Sequence, residues 1–372
     1  MSKVIGGWMK KLEGDFAKVA SDMPKPSDNV IAISSPSFNW MVGNGGLTEG
    51  KAVCFFGPES SGKSLLCQLV LIELQKKHPE SIQVLIDAEF SFNRDWFEKL
   101  GGDLSRLLVK QTNDPLQIFD WIQKDVLEML QEGAPINGLM IDSVKSIRYP
   151  GDVKAKSTDL SMGGSGAKYL GPALKGLLPV IRTYNITTLL VQQVYEEMDQ
   201  YKKMNNPYIV PDGRSLKHFC DYMLQVDRID SKAGRIEEGE TMVGGANQVG
   251  HKVRVKGKKN RVGAPYRVAE FSLRYDTGIV DTENEIYDLA KSMGIIYHPV
   301  SASTGKPNTM MWAFKGYPAI KGEANMKQFI TGDQKVLKEA YDACLSADDN
   351  MVATRNQTVV SPDIDVEVGE DI

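Results

Sequence analysis

The segment from Gly57 to Ser64, GPESSGKS, has the residue types and spacing needed to bind the phosphates of a nucleotide. In a G-x-x-x-x-G-K-S loop, the glycines let successive backbone N–H groups and a helix N-terminus point at the phosphates. Lys63 would then reach the β- and γ-phosphates, and Ser64 would ligate Mg²⁺. The segment therefore predicts a phosphate-binding loop.

The residues on either side of the loop supply the context that this motif requires. The apolar run Ala52–Phe56 precedes it as a buried strand would, and Leu65–Ile72 follows as the start of a helix. An ordinary strand-to-helix turn is the alternative, and the flanking runs make it the weaker one. We predict a nucleotide and Mg²⁺ as cofactors, with the nucleotide bound by Gly57, Pro58, Glu59, Ser60, Ser61, Gly62, Lys63, Ser64 and Leu65.

Two carboxylates follow predicted strands elsewhere in the chain. Asp142 ends the run Gly138–Ile141, and Glu89 comes shortly after Val84–Ile86. Phosphoryl transfer to water needs a metal-binding group and a residue that positions the water, and parallel strands bring their carboxyl ends to one edge of a sheet. We expect Asp142 to support Mg²⁺ and Glu89 to hold the attacking water. An aspartate that only caps the next helix is the alternative for Asp142.

Short β-like runs alternate with longer helical ones from about residue 29 to 277. This rhythm predicts an α/β fold with a mostly parallel twisted sheet flanked by helices. Asp114 and Pro115 are expected to begin a helix that runs to about Leu130. Alternating apolar and polar residues in Lys252–Lys256 and Ala269–Tyr275 predict antiparallel strands, so the sheet should be mixed.

The chain divides into four predicted segments. An amphipathic helix and linker at residues 1–28 would dock on its own core or on a neighbouring subunit. The ATPase core would occupy 29–277, followed by a small C-terminal α/β domain at 278–346. Residues 347–372 are expected to be an acidic disordered tail, because from Asp348 onward seven carboxylates accompany the single Arg355.

Composition bounds the class of protein and its location. The 372 residues carry a net charge of −4, and no apolar run is long enough to span a membrane. The N-terminal residues lack the pattern of a secretory signal, so a cytoplasmic location with no membrane partner is expected. The four cysteines show no C-x-x-C spacing and the four histidines are scattered, which favours reduced core thiols and no structural metal site.

The motifs above, taken together with others, resemble those of the RecA family of recombinases. The matching stretches, which extend from about residue 30 to 350, are Gly57–Ser64, Asp87–Glu89, Gly138–Ser143, Gln192–Gln193 and Lys259–Tyr266. Bacterial RecA and the phage-encoded UvsX-like recombinases both fit this pattern. The resemblance implies a RecA-like P-loop ATPase core.

The resemblance also implies roles for individual residues. Glu89 would activate water, Asp142 would take the Walker B role, and Gln193 would sense the γ-phosphate and relay its presence to a DNA-binding loop. Lys259 and Arg261 would reach the phosphates of a neighbouring subunit, which places ATP between protomers. Trp96 and Tyr275 lie near the positions that pack the adenine.

By position, two long segments resemble the family's DNA-binding loops, at about 150–168 and 194–216. Cations beside apolar or aromatic side chains suit single-stranded DNA, whereas a solvated loop is the alternative for each. The predicted DNA-binding residues are Lys154, Lys156, Met162, Gly163 and Lys168 in the first loop, Lys175 after it, and Tyr201, Lys202, Lys203 and Arg214 in the second loop.

The resemblance implies an ATP-dependent DNA recombinase that forms helical filaments on single-stranded DNA and pairs it with homologous double-stranded DNA, with single-strand-binding and mediator proteins as partners. Three positions depart from the family pattern: Asn93 replaces an aspartate near the adenine, His218 replaces an aromatic residue, and Arg214 replaces an asparagine. A ring-forming helicase motor, a non-catalytic recombination mediator and a small-molecule kinase are the alternatives.

Overall fold

A computed structural model describes residues 25, 28–149, 165–201, 207–211, 213–240, 245–300 and 305–357. The predicted N-terminal helix, the first DNA-binding loop up to residue 164 and the end of the acidic tail lie outside these ranges. Within the described part of the chain, none of the helices combines the length and hydropathy needed to cross a bilayer.

The described strands are β1 (Val30–Ile31), β2 (Leu47–Thr48), β3 (Ala52–Gly57), β4 (Ile82–Asp87), β5 (Leu107–Gln111), β6 (Ile136–Asp142), β7 (Thr187–Gln193), β8 (Tyr195–Glu196), β9 (Tyr208–Ile209), β10 (Tyr222–Arg228), β11 (Arg235–Glu240), β12 (Ala246–Asn260), β13 (Val268–Arg274), β14 (Gly278–Val280), β15 (Ile296–Tyr297), β16 (Met311–Phe314) and β17 (Ile320–Lys321). The described helices are α1 (Pro36–Val42), α2 (Lys63–Lys77), α3 (Arg94–Lys99), α4 (Pro115–Trp121), α5 (Leu127–Gln131), α6 (Ser165–Thr183), α7 (Gly213–Phe219), α8 (Thr282–Ser292), α9 (Glu323–Gly332) and α10 (Gln334–Gln357).

One mixed sheet forms the centre of the molecule. Its strand order is β14-β13-β12-β10-β3-β7-β6-β4-β5, and β11 pairs with β12 beside this path. The strands from β10 to β5 run parallel, whereas β12, β13 and β14 are antiparallel to their neighbours. Both the α/β class and the mixed sheet predicted from the sequence are therefore confirmed.

The alternation of side chains along the strands gives the sheet two apolar faces. In β3, Val53 and Phe55 pack into the core beneath α1 and α2, whereas Ala52, Cys54 and Phe56 pack into the opposite core beneath α4 to α7. Because both faces are covered, the parallel strands are buried and read as nearly continuous apolar runs. The sheet edge at the carboxyl ends of these strands remains accessible to a ligand.

The helix predicted after Asp114 forms, with an interruption in its middle. Asp114 caps α4 by accepting a hydrogen bond from the backbone N–H of Leu116 at 2.8 Å. A wider π-helical turn at Ile122–Val126 separates α4 from α5. The apolar spacing of the sequence does not reveal this turn, because a single extra residue leaves Ile118, Ile122 and Val126 facing the core.

Two elements of the structure extend past the domain boundaries predicted from the sequence. Strand β14 pairs with β13, so the core sheet extends to Val280 instead of ending at residue 277. Helix α10 continues to Gln357, past the expected start of the disordered tail at 347. Because no proline or glycine interrupts the chain between Gly332 and Pro362, the helical pattern has no local reason to stop at residue 346.

The residues after β14 have their own hydrophobic core, which a buried carboxylate joins to the part of the molecule built on the main sheet. Helices α8, α9 and α10 pack on the small sheet β15-β16-β17 around Trp312, Phe314 and Ile330. Glu285 of α8 accepts hydrogen bonds from Ser35 Oγ at 2.5 Å and from the Ser37 backbone N–H at 2.6 Å, at the start of α1. Burial raises the pKa of Glu285 to about 7, although both serines oppose that shift.

We expect Glu285→Gln to make stability less dependent on pH. The raised pKa of Glu285 means that the folded protein retains a proton that the unfolded chain releases above its usual pKa of 4.5. The free energy of unfolding should therefore fall by roughly 1–3 kcal/mol as pH rises through the window from 4.5 to about 7. Urea titrations at pH 5 and pH 8 would measure this fall, which the amide should largely remove.

Glu283→Gln on the same turn of α8 is the matched control, because Glu283 lies outside this buried contact. It should keep the pH dependence of the unmodified protein. If the Glu285→Gln variant and the unmodified protein showed the same pH dependence, Glu285 would not be its source.

Candidate nucleotide-binding site

The phosphate-binding loop connects β3, in the middle of the sheet, to α2. Gly57 ends β3, and α2 begins at Lys63 after Gly62, whose φ of 96° is a left-handed conformation that favours glycine. A Cβ atom at Gly57 would lie 2.1 Å from the carbonyl oxygen of Val226 on the neighbouring strand β10. Both glycines of the motif are therefore required by the backbone itself, independently of a ligand.

Lys63 is buried within the turn of the loop. Its side chain is 6% exposed, and its Nζ donates a hydrogen bond to the Pro58 carbonyl oxygen at 2.5 Å. Burial lowers the pKa of Lys63, whereas the nearby carboxylates of Asp142, Glu89 and Glu59 raise it. The ammonium group is thus held over the loop by a neutral carbonyl, a position from which phosphate oxygens would be a stronger partner.

Asp142 lies at the carboxyl end of β6, as predicted, and faces the beginning of α2. Burial raises its pKa to about 6, while a hydrogen bond with the Ser64 side chain opposes the shift. Its Oδ1 atom is buried with no hydrogen-bond partner among the described residues. Hard oxygen donors with an unsatisfied carboxylate oxygen suit Mg²⁺, so Ser64 and Asp142 fit the metal predicted from the sequence.

Glu89 follows β4 and is held at the end of β6. The backbone N–H groups of Ala88 and Glu89 donate to the Asp142 carbonyl oxygen at 2.7 and 3.2 Å. The Glu89 Oε1 atom accepts hydrogen bonds from Ser143 Oγ at 2.5 Å and from Gln193 Nε2 at 2.9 Å. The structure thus brings Glu89 and Gln193 into direct contact beside the loop.

Two adjoining cavities meet at Ser60, Lys63 and Ser64. The first, of about 390 Å³, has a polar lining that includes Glu59, Glu89, Asp142 and Gln193. The second, of about 370 Å³, extends from the loop toward Trp96 and Tyr275. The first cavity has the chemistry for phosphates and the second has the aromatic walls suited to a nucleobase.

Two residues that sequence reasoning missed also line the second cavity. Arg228 ends β10, and His251 of β12 lies with Nδ1 3.3 Å from the Tyr275 hydroxyl oxygen. Burial, and then the charge of Arg228, lower the pKa of His251, which favours the neutral ring. Arg228 ends a strand, but its place near the loop depends on the pairing of β10 with β3, which the sequence does not fix. His251 lies on an antiparallel strand whose register the sequence does not fix.

Sequence reasoning also missed three side chains between β6 and residue 150. Ser143 and Ser146 both donate toward Glu89 Oε1, at 2.5 and 3.2 Å. Lys145 Nζ donates to Gln193 Oε1 at 3.1 Å. Their signal was their position directly after Asp142, where a short 3₁₀ turn at Val144–Ser146 points them back toward the site.

Lys259 and Arg261 line neither of these two cavities and contact the carboxyl end of α7. Lys259 Nζ donates to the carbonyl oxygens of Lys217 and Cys220, the latter at 2.6 Å. Arg261 donates to the His218 carbonyl oxygen at 3.3 Å and lies 3.8 Å from Asp221 Oδ1. Burial, and then the charge of Arg261, lower the pKa of Lys259.

Part of the predicted DNA-binding set can be located. Lys175 of α6 and Arg214 of α7 line a common cavity of about 450 Å³, and the Tyr201 side chain is 87% exposed. The remaining predictions, together with the side chain of Lys168, lie outside the described residues: Lys154, Lys156, Met162, Gly163, Lys202 and Lys203.

The second predicted DNA-binding loop contains regular structure that the sequence did not reveal. Tyr195 and Glu196 of β8 pair antiparallel with Ile209 and Tyr208 of β9, which forms the base of a hairpin. Two-residue strands are too short to show a periodic pattern. This hairpin begins two residues after Gln193, so it is directly connected to the phosphate cavity.

The fold and the loop define a P-loop nucleotide-binding protein with an α/β core. A family model described as the RecA N-terminal domain matches residues 4–280. The chain therefore belongs to the RecA family and is a RecA-type recombinase in general terms.

Curated relatives named Protein RecA share this similarity over nearly their whole length. The protein from Mesoplasma florum is 30% identical over 335 residues, which cover 87% of this chain and 94% of the relative. That of Heliobacterium modesticaldum is 28% identical, covering 86% and 83%, and that of Thermus thermophilus is 26% identical, covering 91% and 97%.

We expect Gly57→Ala to disrupt the loop and weaken nucleotide binding. The added Cβ would meet a backbone carbonyl that cannot move without shifting β10, so a loss of about 1–3 kcal/mol in stability is expected. Thermal unfolding and titration with a fluorescent ATP analogue would measure both effects.

Gly332→Ala provides the matched control, since a Cβ there meets no atom within 4 Å. That variant should bind the analogue as the unmodified protein does. Normal nucleotide affinity in Gly57→Ala would contradict the steric argument.

Proposed function

We propose that this protein is an ATP-dependent DNA recombinase. It would form filaments on single-stranded DNA in the cytoplasm, promote homologous pairing and strand exchange with double-stranded DNA, and hydrolyse ATP at subunit interfaces. The observation that carries the proposal is the contact of Glu89 with Gln193 in the same cavity as Lys63 and Asp142. Membership of the RecA family supports the same function.

Four side chains of the phosphate cavity have a role in the proposed hydrolysis. Lys63 and the backbone of the loop hold the phosphates and stabilise the charge that develops on them. Glu89 orients a water for in-line attack on the γ-phosphorus, so that the P–O bond to the leaving ADP breaks as the new bond to water forms. Mg²⁺, bound through Ser64 and with support from Asp142, would neutralise phosphate charge.

DNA and a second subunit complete the proposed assembly. Lys175 and Arg214 offer cations to the DNA backbone, and Tyr195 and Tyr201 offer exposed aromatic faces on which bases stack. Lys259 and Arg261 contact no nucleotide cavity of their own subunit, which leaves them for the phosphates bound to a neighbour. Single-strand-binding and mediator proteins are proposed as further partners.

Electron microscopy with single-stranded DNA and a non-hydrolysable ATP analogue tests the proposal. Continuous helical filaments are expected, and they should be absent when the nucleotide is omitted, because the interface would contain the phosphates. Closed rings would favour a helicase-like motor instead. A failure to assemble at all would contradict the recombinase function.

Substitutions in the phosphate cavity should separate binding from hydrolysis. Lys63→Ala should abolish ATP hydrolysis and weaken nucleotide binding, since it removes the cation under the phosphates. Glu89→Gln keeps the size and one acceptor but loses the negative charge, so turnover should fall about 100-fold or more while ATP and DNA binding persist. Rates of phosphate release and equilibrium nucleotide titrations would check both. Normal turnover in Glu89→Gln would show that another residue positions the water.

A further inference from the structure

Lys145 connects three parts of the molecule. It is half-buried in the 3₁₀ turn that follows β6, and its Nζ donates to Gln193 Oε1 at the end of β7 at 3.1 Å. The same Nζ lies 4.6 Å from the ring centroid of Tyr195, the first residue of the hairpin. One cation therefore contacts both the phosphate cavity and the base of the second predicted DNA-binding loop.

The opposite end of the Gln193 side chain contacts Glu89. Gln193 Nε2 donates to Glu89 Oε1 at 2.9 Å. An amide oxygen only accepts hydrogen bonds and an amide nitrogen only donates, whereas an ammonium group only donates and a carboxylate only accepts. If the amide were reversed, its NH₂ group would face the N–H groups of Lys145, and its oxygen would face the carboxylate oxygen of Glu89. Lys145 and Glu89 therefore select one orientation of Gln193.

We propose that Lys145 is a positioning residue that fixes Gln193 against Glu89 and so keeps this carboxylate engaged in the resting protein. The inference rests on the proposed ATPase function and adds to it a residue that regulates the same site. Ser143 and Ser146 also donate to Glu89 Oε1, so the group that would orient water is held by protein donors. Releasing Gln193 weakens that hold.

The contact with Tyr195 supplies the route by which DNA would act. The attraction of a cation for an aromatic face is lost when the ring moves away, and Tyr195 is 54% exposed on the hairpin. Bases that stack on this ring would compete with Lys145 for it. Binding of single-stranded DNA would thereby weaken the contact of Lys145 with Gln193, and with it one of the three donors that hold Glu89 Oε1.

Lys145→Met tests the proposal, because methionine retains an unbranched apolar chain but has no donor and no charge. ATP hydrolysis without DNA should rise about three- to tenfold, while the rate with saturating single-stranded DNA should change little. The ratio of the two rates should fall by the same factor. Lys145→Arg retains a donor and the contact with the ring, and it should restore the ratio.

Lys110→Met is the matched control. Lys110 lies on the edge strand β5, and its Nζ is 4.6 Å from the ring centroid of Trp121. The substitution therefore removes the same kind of cation–aromatic contact at a position that does not contact Gln193. Its rate ratio should equal that of the unmodified protein.

A binding measurement provides a readout that does not depend on turnover. The affinity for labelled single-stranded DNA is determined by fluorescence anisotropy with and without a non-hydrolysable ATP analogue. The gain in affinity caused by the analogue should shrink in Lys145→Met and persist in Lys145→Arg and Lys110→Met.

Other outcomes would overturn the inference. They are an unchanged rate ratio in Lys145→Met, a parallel loss of both rates, or an equal change in Lys145→Met and Lys145→Arg. If the unmodified protein hydrolyses no ATP with or without DNA, the proposed function fails instead, and that failure is visible before any variant is compared.

Discussion

The site depends on a contact between the last residue of β6 and the two residues that follow β4. The Asp142 carbonyl oxygen accepts from the backbone N–H groups of Ala88 and Glu89, so the two acidic positions are fixed to each other by main-chain hydrogen bonds. Main-chain contacts do not vary with rotamer, and they define the distance between the two backbone positions from which the carboxylates extend. The adjoining strands β7 and β3 then bring Gln193 and the phosphate loop to the same edge.

Charged side chains lie close together at this edge of the sheet, and burying them without partners would cost free energy. Lys63 and Asp142 are both nearly inaccessible to solvent, and burial shifts the pKa of each toward its neutral form. Each group partly offsets the shift of the other, because opposite charges favour ionisation. Lys63 is paired with a neutral carbonyl, and Asp142 Oδ1 has no hydrogen-bond partner among the described residues. A nucleotide with its metal ion offers the complementary charges.

Much of this arrangement could be predicted from the sequence because it depends on short, local patterns. The loop Gly57–Ser64 and the strand ends at Glu89 and Asp142 are each encoded within a few residues, and the parallel sheet brings them together. Lys145, Arg228 and His251 could not be predicted in the same way. Their positions depend on a 3₁₀ turn, on the neighbour that β10 selects, and on the register of β12, all of which are tertiary properties.

The contacts of Lys259 and Arg261 with the end of α7 affect the thermodynamics of any contact that these residues make outside the subunit. Their charges are already compensated by the carbonyl oxygens of residues 217, 218 and 220 and by Asp221. These contacts already occupy some of the donors of Lys259 and Arg261. Where a new partner displaces one of them, only the difference between the two interactions contributes to association. A doubly charged phosphate exceeds a neutral carbonyl as an acceptor, whereas water does not. In the proposed assembly, the affinity of a subunit for its neighbour would therefore depend on the charge of the ligand that the neighbour carries.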